Sequence, residues 1–275
     1  MNYKAYVINV DSKTKRMERM RRVASEIPLT IERVRALSAE QIPVKTSFSP
    51  IFNRELSFPE LSCFYSHVEC WKRIDKSNHP FALILEDDVV ISEQIVQLLE
   101  TLERTEITFD ILRLEPPNKR GRFYTDEVLE VGQFKFAHLI SKAACTAAMI
   151  VSKTGAKKLL GLAQPILPID EFLFNYYSPA FYKIKTYQIV DALVWQLDVL
   201  NLPLPEELKS SINQSVSKTK NKNKNKKSVL NALKKLSIKL DYLLRIKGKN
   251  LIEVTIEESE KKFLIQKERQ KSCNL

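Results

Sequence analysis

Five apolar residues, Phe81–Leu85, run straight into Glu86, Asp87 and Asp88, and two valines follow. A short apolar run of this kind reads as a buried strand. Three adjacent carboxylates repel one another, and removing them from water is costly unless something positive compensates. A chain carrying this segment therefore needs a fold in which a buried strand ends where negative charge has a use. In open α/β sheets that place is the crevice at the carboxyl ends of the strands, where ligands collect.

The rest of the chain supplies such a sheet. Residues 3–10 read as a first buried strand, followed by a polar turn and the helical run KRMERMRRVASEI. Residues 31–36 alternate like a short strand, and 38–56, polar with Pro43 and Pro50, read as a loop. Ser57 then offers an N-cap, with Pro59 in the first turn and Glu60 as the reciprocal capping group. Leu61, Phe64, Val68, Trp71 and Ile74 or Asp75 follow at the three-and-four spacing of one buried helical stripe. Beyond the acidic strand we expect a helix at 92–104, strands at 109–115 and 145–152, a helix in KTGAKKLLGLA and strand-like segments around 181–190. Strands alternating with helices predict an α/β domain over residues 1–208.

The net charge of +11 is unevenly placed. Residues 218–275 hold 17 Lys+Arg and 6 Asp+Glu, so the tail carries the whole excess and the remainder is neutral. A fold that bound nucleic acid would more often be basic itself, and none is expected as a partner. Residues 209–228, KSSINQSVSKTKNKNKNKKS, predict a disordered like-charged linker. In 229–275, Val229, Leu233, Leu236, Leu240 and Leu243 share one helical face among lysines, a basic amphipathic helical tail. It reads as an anchor on an anionic membrane surface, as a helix packed on the domain or as a dimer contact. No apolar run approaches the roughly 20 residues that span a bilayer, and no secretory leader is evident. Cys63, Cys70, Cys145 and Cys273 lack CxxC spacing. Reduced thiols in a cytoplasmic protein are the expectation.

The acidic strand end has two readings on its own residues. Hard oxygen donors suit Mg²⁺ or Mn²⁺, ions that keep waters and bind substrate phosphates. Equally, the acids cap a helix starting near Ser92. A P-loop phosphotransferase is disfavoured: GxxxxGK[ST] is absent and the chain has only 5 Gly.

LSCFYSHVECWKRI followed by FALILEDDVVIS resembles the signature of glycosyltransferase family 25, which includes bacterial lipooligosaccharide galactosyltransferases and collagen galactosyltransferases. AYVINVDSKTKRMERM, IERVRAL, DILRL, TAAMIVSKTGAKKLL and PID extend the likeness over roughly residues 3 to 200. The resemblance implies a GT-A-like nucleotide-diphospho-sugar transferase fold, a Rossmann-like mixed sheet flanked by helices. It implies a UDP-sugar donor, UDP-galactose by family habit, and inverting transfer to a lipooligosaccharide or lipopolysaccharide sugar, β-1,4 linkage expected. Such an enzyme would work at the inner face of the cytoplasmic membrane.

Carried onto this chain, the resemblance implies Asn9, Arg16, Arg35, Ala36, His67, Glu86, Asp87, Thr146 and Gln196 around the nucleotide sugar. Asp88 with Glu86 would hold Mn²⁺ or Mg²⁺. Asp170, with Glu171 as the alternative, would be the base, although both acids suit capping of a helix at Phe172 as well. One departure stands out: Cys145-Thr146-Ala147-Ala148-Met149 replaces the Gly-Thr-Ala-Gly-Tyr frequent in the family.

Overall fold

A computed structural model describes residues 3–116, 122–124, 128–198, 227–247 and 251–253. In chain order the elements are β1 (Lys4–Asn9), α1 (Thr14–Glu26), β2 (Ile31–Arg35), β3 (Phe48–Ser49), β4 (Arg54–Glu55), α2 (Phe58–Lys76), β5 (Phe81–Glu86), β6 (Val89–Ile91) and α3 (Gln94–Arg104). Then come β7 (Ile111–Arg113), β8 (Arg122–Tyr124), β9 (Val128–Val131), β10 (Phe134–His138), β11 (Ala148–Ser152) and α4 (Lys153–Leu162). They are followed by α5 (Ile169–Phe174), α6 (Pro179–Lys183), β12 (Thr186–Ile189), β13 (Val194–Gln196), α7 (Lys227–Ile246) and β14 (Leu251–Glu253).

Eight strands form one mixed sheet in the order β2-β1-β5-β11-β7-β12-β10-β9. The first three are mutually parallel, and β11 runs antiparallel to both β5 and β7. The predicted mixed sheet with flanking helices is the one observed. Strand alternation divides its core in two. Phe81, Leu83 and Leu85 point to the layer containing Met17 and Met20 of α1 and Leu98, Leu99 and Leu102 of α3. Ala82 and Ile84 point to the layer of Phe64, Trp71 and Ile74 of α2. With a period of two, Glu86 falls on the α2 side.

The capping box forms as read. Ser57 and Glu60 satisfy each other's backbone amides at the start of α2, and Arg54 adds two bonds to the Glu60 carboxylate at 2.6 and 2.8 Å. Leu61, Phe64, Val68, Trp71 and Ile74 of the predicted α2 stripe are buried, and Asp75, the other choice for its last position, is half-buried. Gly155 has no alternative: a Cβ there would sit 2.3 Å from the Asp110 carbonyl oxygen, where α4 crosses the edge of β7.

Several boundaries differ from expectation. The loop at 38–56 contains the short β3–β4 hairpin. The unassigned stretch before Cys145 holds the β9–β10 hairpin, whose turn places Gly132 at φ +58°. The strand-like 181–190 begins as α6, started by Ser178 capping and Pro179, and turns to strand only at Thr186. Helix α5 starts at Ile169, so Asp170 and Glu171 lie inside its first turn and do not precede it. The expected strand 109–115 is confined to Ile111–Arg113.

The tail is not wholly helical. Helix α7 already occupies 227–228, the end of the expected linker, and stops at Ile246, after which β14 pairs with β8. The remainder of the 209–228 linker and residues 254–275 lie outside the described residues. Tyr242 of α7 stacks on Tyr176, ring centroids 4.5 Å apart, while Leu236, Leu240, Leu243 and Leu244 remain exposed.

Candidate active site

The carboxyl ends of β1 and β5 open onto a cavity of about 560 Å³. Ile8, Asp11, Ser12, Lys13 and Arg16 line it from β1 and the turn into α1. Loop residues 36–39 and Phe58, Ser62, Cys63 and Ser66 of α2 form another wall. Glu86, Asp87 and Asp88 stand at its edge, and Gln196 joins the lining beside them. Gln196 arrives because β13 pairs antiparallel with β6, immediately beyond the acidic trio, and Leu197 N–H donates to the Asp88 carbonyl at 2.8 Å.

The three carboxylates meet three different fates. Asp87 is fully engaged: Asn9 Nδ2 donates to it at 2.7 Å and Arg16 Nη1 at 2.8 Å. Asn9 at the end of β1 and Arg16 in the first turn of α1 thus compensate the acidic motif, where the sequence suggested contacts with nucleotide. Asp88 is also buried, yet its Oδ1 has no hydrogen-bond partner, and Arg16 reaches only its Oδ2, at 3.5 Å. Burial first, and the charge of Glu86 second, push the Asp88 carboxyl up to about 7 against the pull of Arg16. None of the three acids caps α3, whose N-cap position is Glu93.

Glu86 faces α2, as its register requires. It accepts a bond from Thr146 Oγ1 at 3.1 Å and lies 3.5 Å from His67 Nε2 and 4.0 Å from Cys63 Sγ. Cys63 and His67 are one helical turn apart and so share a face. His67 is 0% exposed, and neither ring nitrogen has a hydrogen-bond partner. Desolvation, then Glu86, raises the Cys63 thiol well above its ordinary range.

The other expected residues scatter. Ala36 lines the cavity. Arg35 does not: it is exposed, and its Nε donates to Asp11 at 2.9 Å. Asp170 is half-buried and accepts from the Glu171 amide at 2.9 Å, and its carboxyl is raised by burial and then by Glu171. Glu171 is held on both oxygens, by Lys142 at 2.5 Å and by the Asn175 side-chain amide.

Sequence reading missed a second buried charge cluster. Arg113, 1% exposed, donates to Gln188 Oε1 at 2.5 Å, to the Pro116 carbonyl at 3.0 Å and to the Ala144 carbonyl. Glu115, 3% exposed, lies 3.9 Å from Arg113 and accepts from the Ala148 amide at 3.2 Å. Burial pushes its carboxyl up to about 7 despite Arg113. This cluster underlies the loop carrying Cys145 and Thr146. Cys145 adopts φ +69°, the left-handed backbone that favours glycine, at the position where the resemblance has Gly. Sequence reading also passed over Ser62, whose Oγ donates to the Leu37 carbonyl, while Ser66 Oγ accepts from the Leu37 amide, so both fix the cavity loop to α2.

Comparison with known proteins gives the family. The model of Glycosyltransferase family 25 (LPS biosynthesis protein) matches residues 2–173. Procollagen galactosyltransferase 1-A of Xenopus laevis is 29% identical over 188 residues, 61% of this chain and 30% of the relative. Lipooligosaccharide biosynthesis protein lic2B of Haemophilus influenzae is 25% identical over 193 residues, 66% of this chain and 73% of the relative. The chain thus spans less than a third of the procollagen enzyme but most of lic2B. Among solved structures, S. aureus TarS 1-349 is similar with a TM-score of 0.42 and 12% identity, over 90% of this chain and 82% of that one. With residues 2–173, the acidic strand end among them, matched by one family model, the chain belongs to glycosyltransferase family 25.

Proposed function

We propose that the protein transfers a hexose, galactose in the first instance, from a uridine-diphosphate sugar to a terminal sugar of a lipooligosaccharide or lipopolysaccharide glycan, inverting the anomeric centre and forming a β-1,4 linkage. The observation that carries this reading is the unpartnered, buried Asp88 Oδ1 at the edge of a cavity of about 560 Å³. A buried carboxylate oxygen without a donor asks for a cation. Asp88 and Glu86 are the residues that would hold Mn²⁺ or Mg²⁺, since Asp87 is already saturated by Asn9 and Arg16. Such an ion would neutralise the charge that builds on the departing diphosphate.

The chain's own groups do the rest. Thr146 fixes the Glu86 carboxylate. Gln196 and the Asp11–Lys13 turn line the cavity and would orient the donor. Between the two candidate bases, Glu171 is tied to Lys142 and Asn175, which leaves Asp170 to take the acceptor hydroxyl proton. Its raised carboxyl suits that task, because a base works best with a pKa nearer the operating pH.

A UDP-sugar screen with and without Mn²⁺ tests the reading. Galactose transfer that needs the ion, falling ~10²–10⁴-fold in Asp170→Asn and far less in Glu171→Gln, is expected. Equally fast transfer in a chelator removes the metal assignment.

The same proposal extends to α7. Its exposed Leu236, Leu240, Leu243 and Leu244, flanked by Lys235 and Lys239, fit the surface of an anionic membrane at the cytoplasmic face. The Tyr242–Tyr176 stack leaves those leucines free for it. Co-flotation with anionic vesicles, lost on Leu240→Asp and absent with neutral lipid, is the expected result. Among the described residues no helix is long and apolar enough to cross a membrane.

A further inference from the structure

We infer that Cys63, His67 and Glu86 form a site for a borderline-soft divalent cation, Zn²⁺ by preference, which shares Glu86 with the all-oxygen position proposed at Asp88 but takes its sulfur and nitrogen donors from α2. Three ligand atoms, one from each side chain, lie within 4.8 Å of one another. Zinc bond lengths require tetrahedral ligand atoms roughly 3.3–3.7 Å apart. His67 Nε2 and Glu86 Oε1 stand at 3.5 Å already, and Cys63 Sγ to Glu86 Oε1, at 4.0 Å, needs a contraction of only a few tenths.

The second, independent sign is His67 itself. An imidazole with no exposed surface and no bond at either nitrogen is an unpaid desolvation cost in a core otherwise well satisfied. A metal bond at Nε2 would remove half of that cost. Cys63 and Glu86 both face the cavity, so a fourth coordination position would open toward solvent or a bound molecule.

The donor set decides the ion. A thiol sulfur, an imidazole nitrogen and one carboxylate suit Zn²⁺ or Co²⁺, whereas Mg²⁺ and Mn²⁺ favour oxygen ligands. Binding displaces the Cys63 proton to solvent, so affinity rises with pH. No activity is needed to see the site.

The test uses the full-length, chelator-stripped protein and Co²⁺ as a spectroscopic probe. One equivalent is expected to give the near-ultraviolet thiolate-to-cobalt charge-transfer band and to be displaced by Zn²⁺. Cys63→Ser should abolish the band, and His67→Gln should weaken Co²⁺ binding at least tenfold by calorimetry. Asp88→Asn should leave the band intact. Thermal melts of each variant establish that it is folded. A folded Cys63→Ser that keeps the band, or wild-type protein that takes up Co²⁺ without one, overturns the inference.

Discussion

Two buried acidic clusters sit one strand apart in the same sheet, at the ends of β5 and β7 with β11 between them, and they are finished differently. Beyond β7, the Glu115 carboxylate meets Arg113 and a backbone amide, and both terminal nitrogens of Arg113 are bonded. Beyond β5, Asp87 is equally complete, but Asp88 Oδ1 and both nitrogens of His67 are left without partners. Burial is similar, so it cannot separate the two. The carboxylates do: Arg113 Nε is unpartnered as well, but Glu115 has no orphaned oxygen and its network holds a loop in place, whereas Asp88 leaves an oxygen open to a ligand.

Breaking each cluster should therefore give opposite phenotypes. The largest effect expected is on stability, from Arg113→Met. It strands Glu115 in the core, and removing one partner of a buried pair costs about 3–5 kcal/mol. Urea unfolding reads it directly, and a loss below about 1 kcal/mol would show that the pair does not anchor the Cys145–Thr146 loop. Asp88→Asn should behave in reverse, unfolding at the wild-type urea midpoint. Its transfer rate should fall ~10²-fold or more, as expected for loss of several kcal/mol of charge stabilisation. If the variant unfolds early while its turnover survives, Asp88 belongs with Glu115. The smallest effect sharpens the contrast from the side of the loop. Cys145→Gly relieves a left-handed backbone and should raise stability by about 0.5–1 kcal/mol, since glycine's greater freedom in the unfolded chain returns part of the gain. A melting temperature that falls would mean that the Cys145 side chain is needed more than the strain is harmful.

How much of this could be read beforehand follows the range of each interaction. The α2 stripe, the Ser57–Glu60 box and the β5 run are local patterns, and all three are in the structure as the sequence predicts. The acidic strand end was legible too, because three carboxylates beside an apolar run have few explanations. What stayed hidden is pairing at a distance. Nothing local says that Arg16 meets Asp87, or that Arg113 finds Gln188 on the neighbouring strand β12. The β9–β10 hairpin was missed because its strands are short and partly exposed, with only Gly132 to mark the turn. His67 is an intermediate case. Helical spacing placed it beside Cys63, and strand alternation assigns Glu86 to the same side, but only the packing of α2 on β5 joins the two.

Strand β13 carries a lesson for anyone trimming this gene. The family match ends at residue 173, yet β12 lies between β7 and β10, and Gln196 of β13 forms part of the cavity wall. An expression product cut at the matched boundary would possess every acidic residue of the motif, with a gap in its sheet and one side of the pocket missing. The smallest autonomous catalytic unit must extend at least through Leu197, whose amide braces the Asp88 carbonyl.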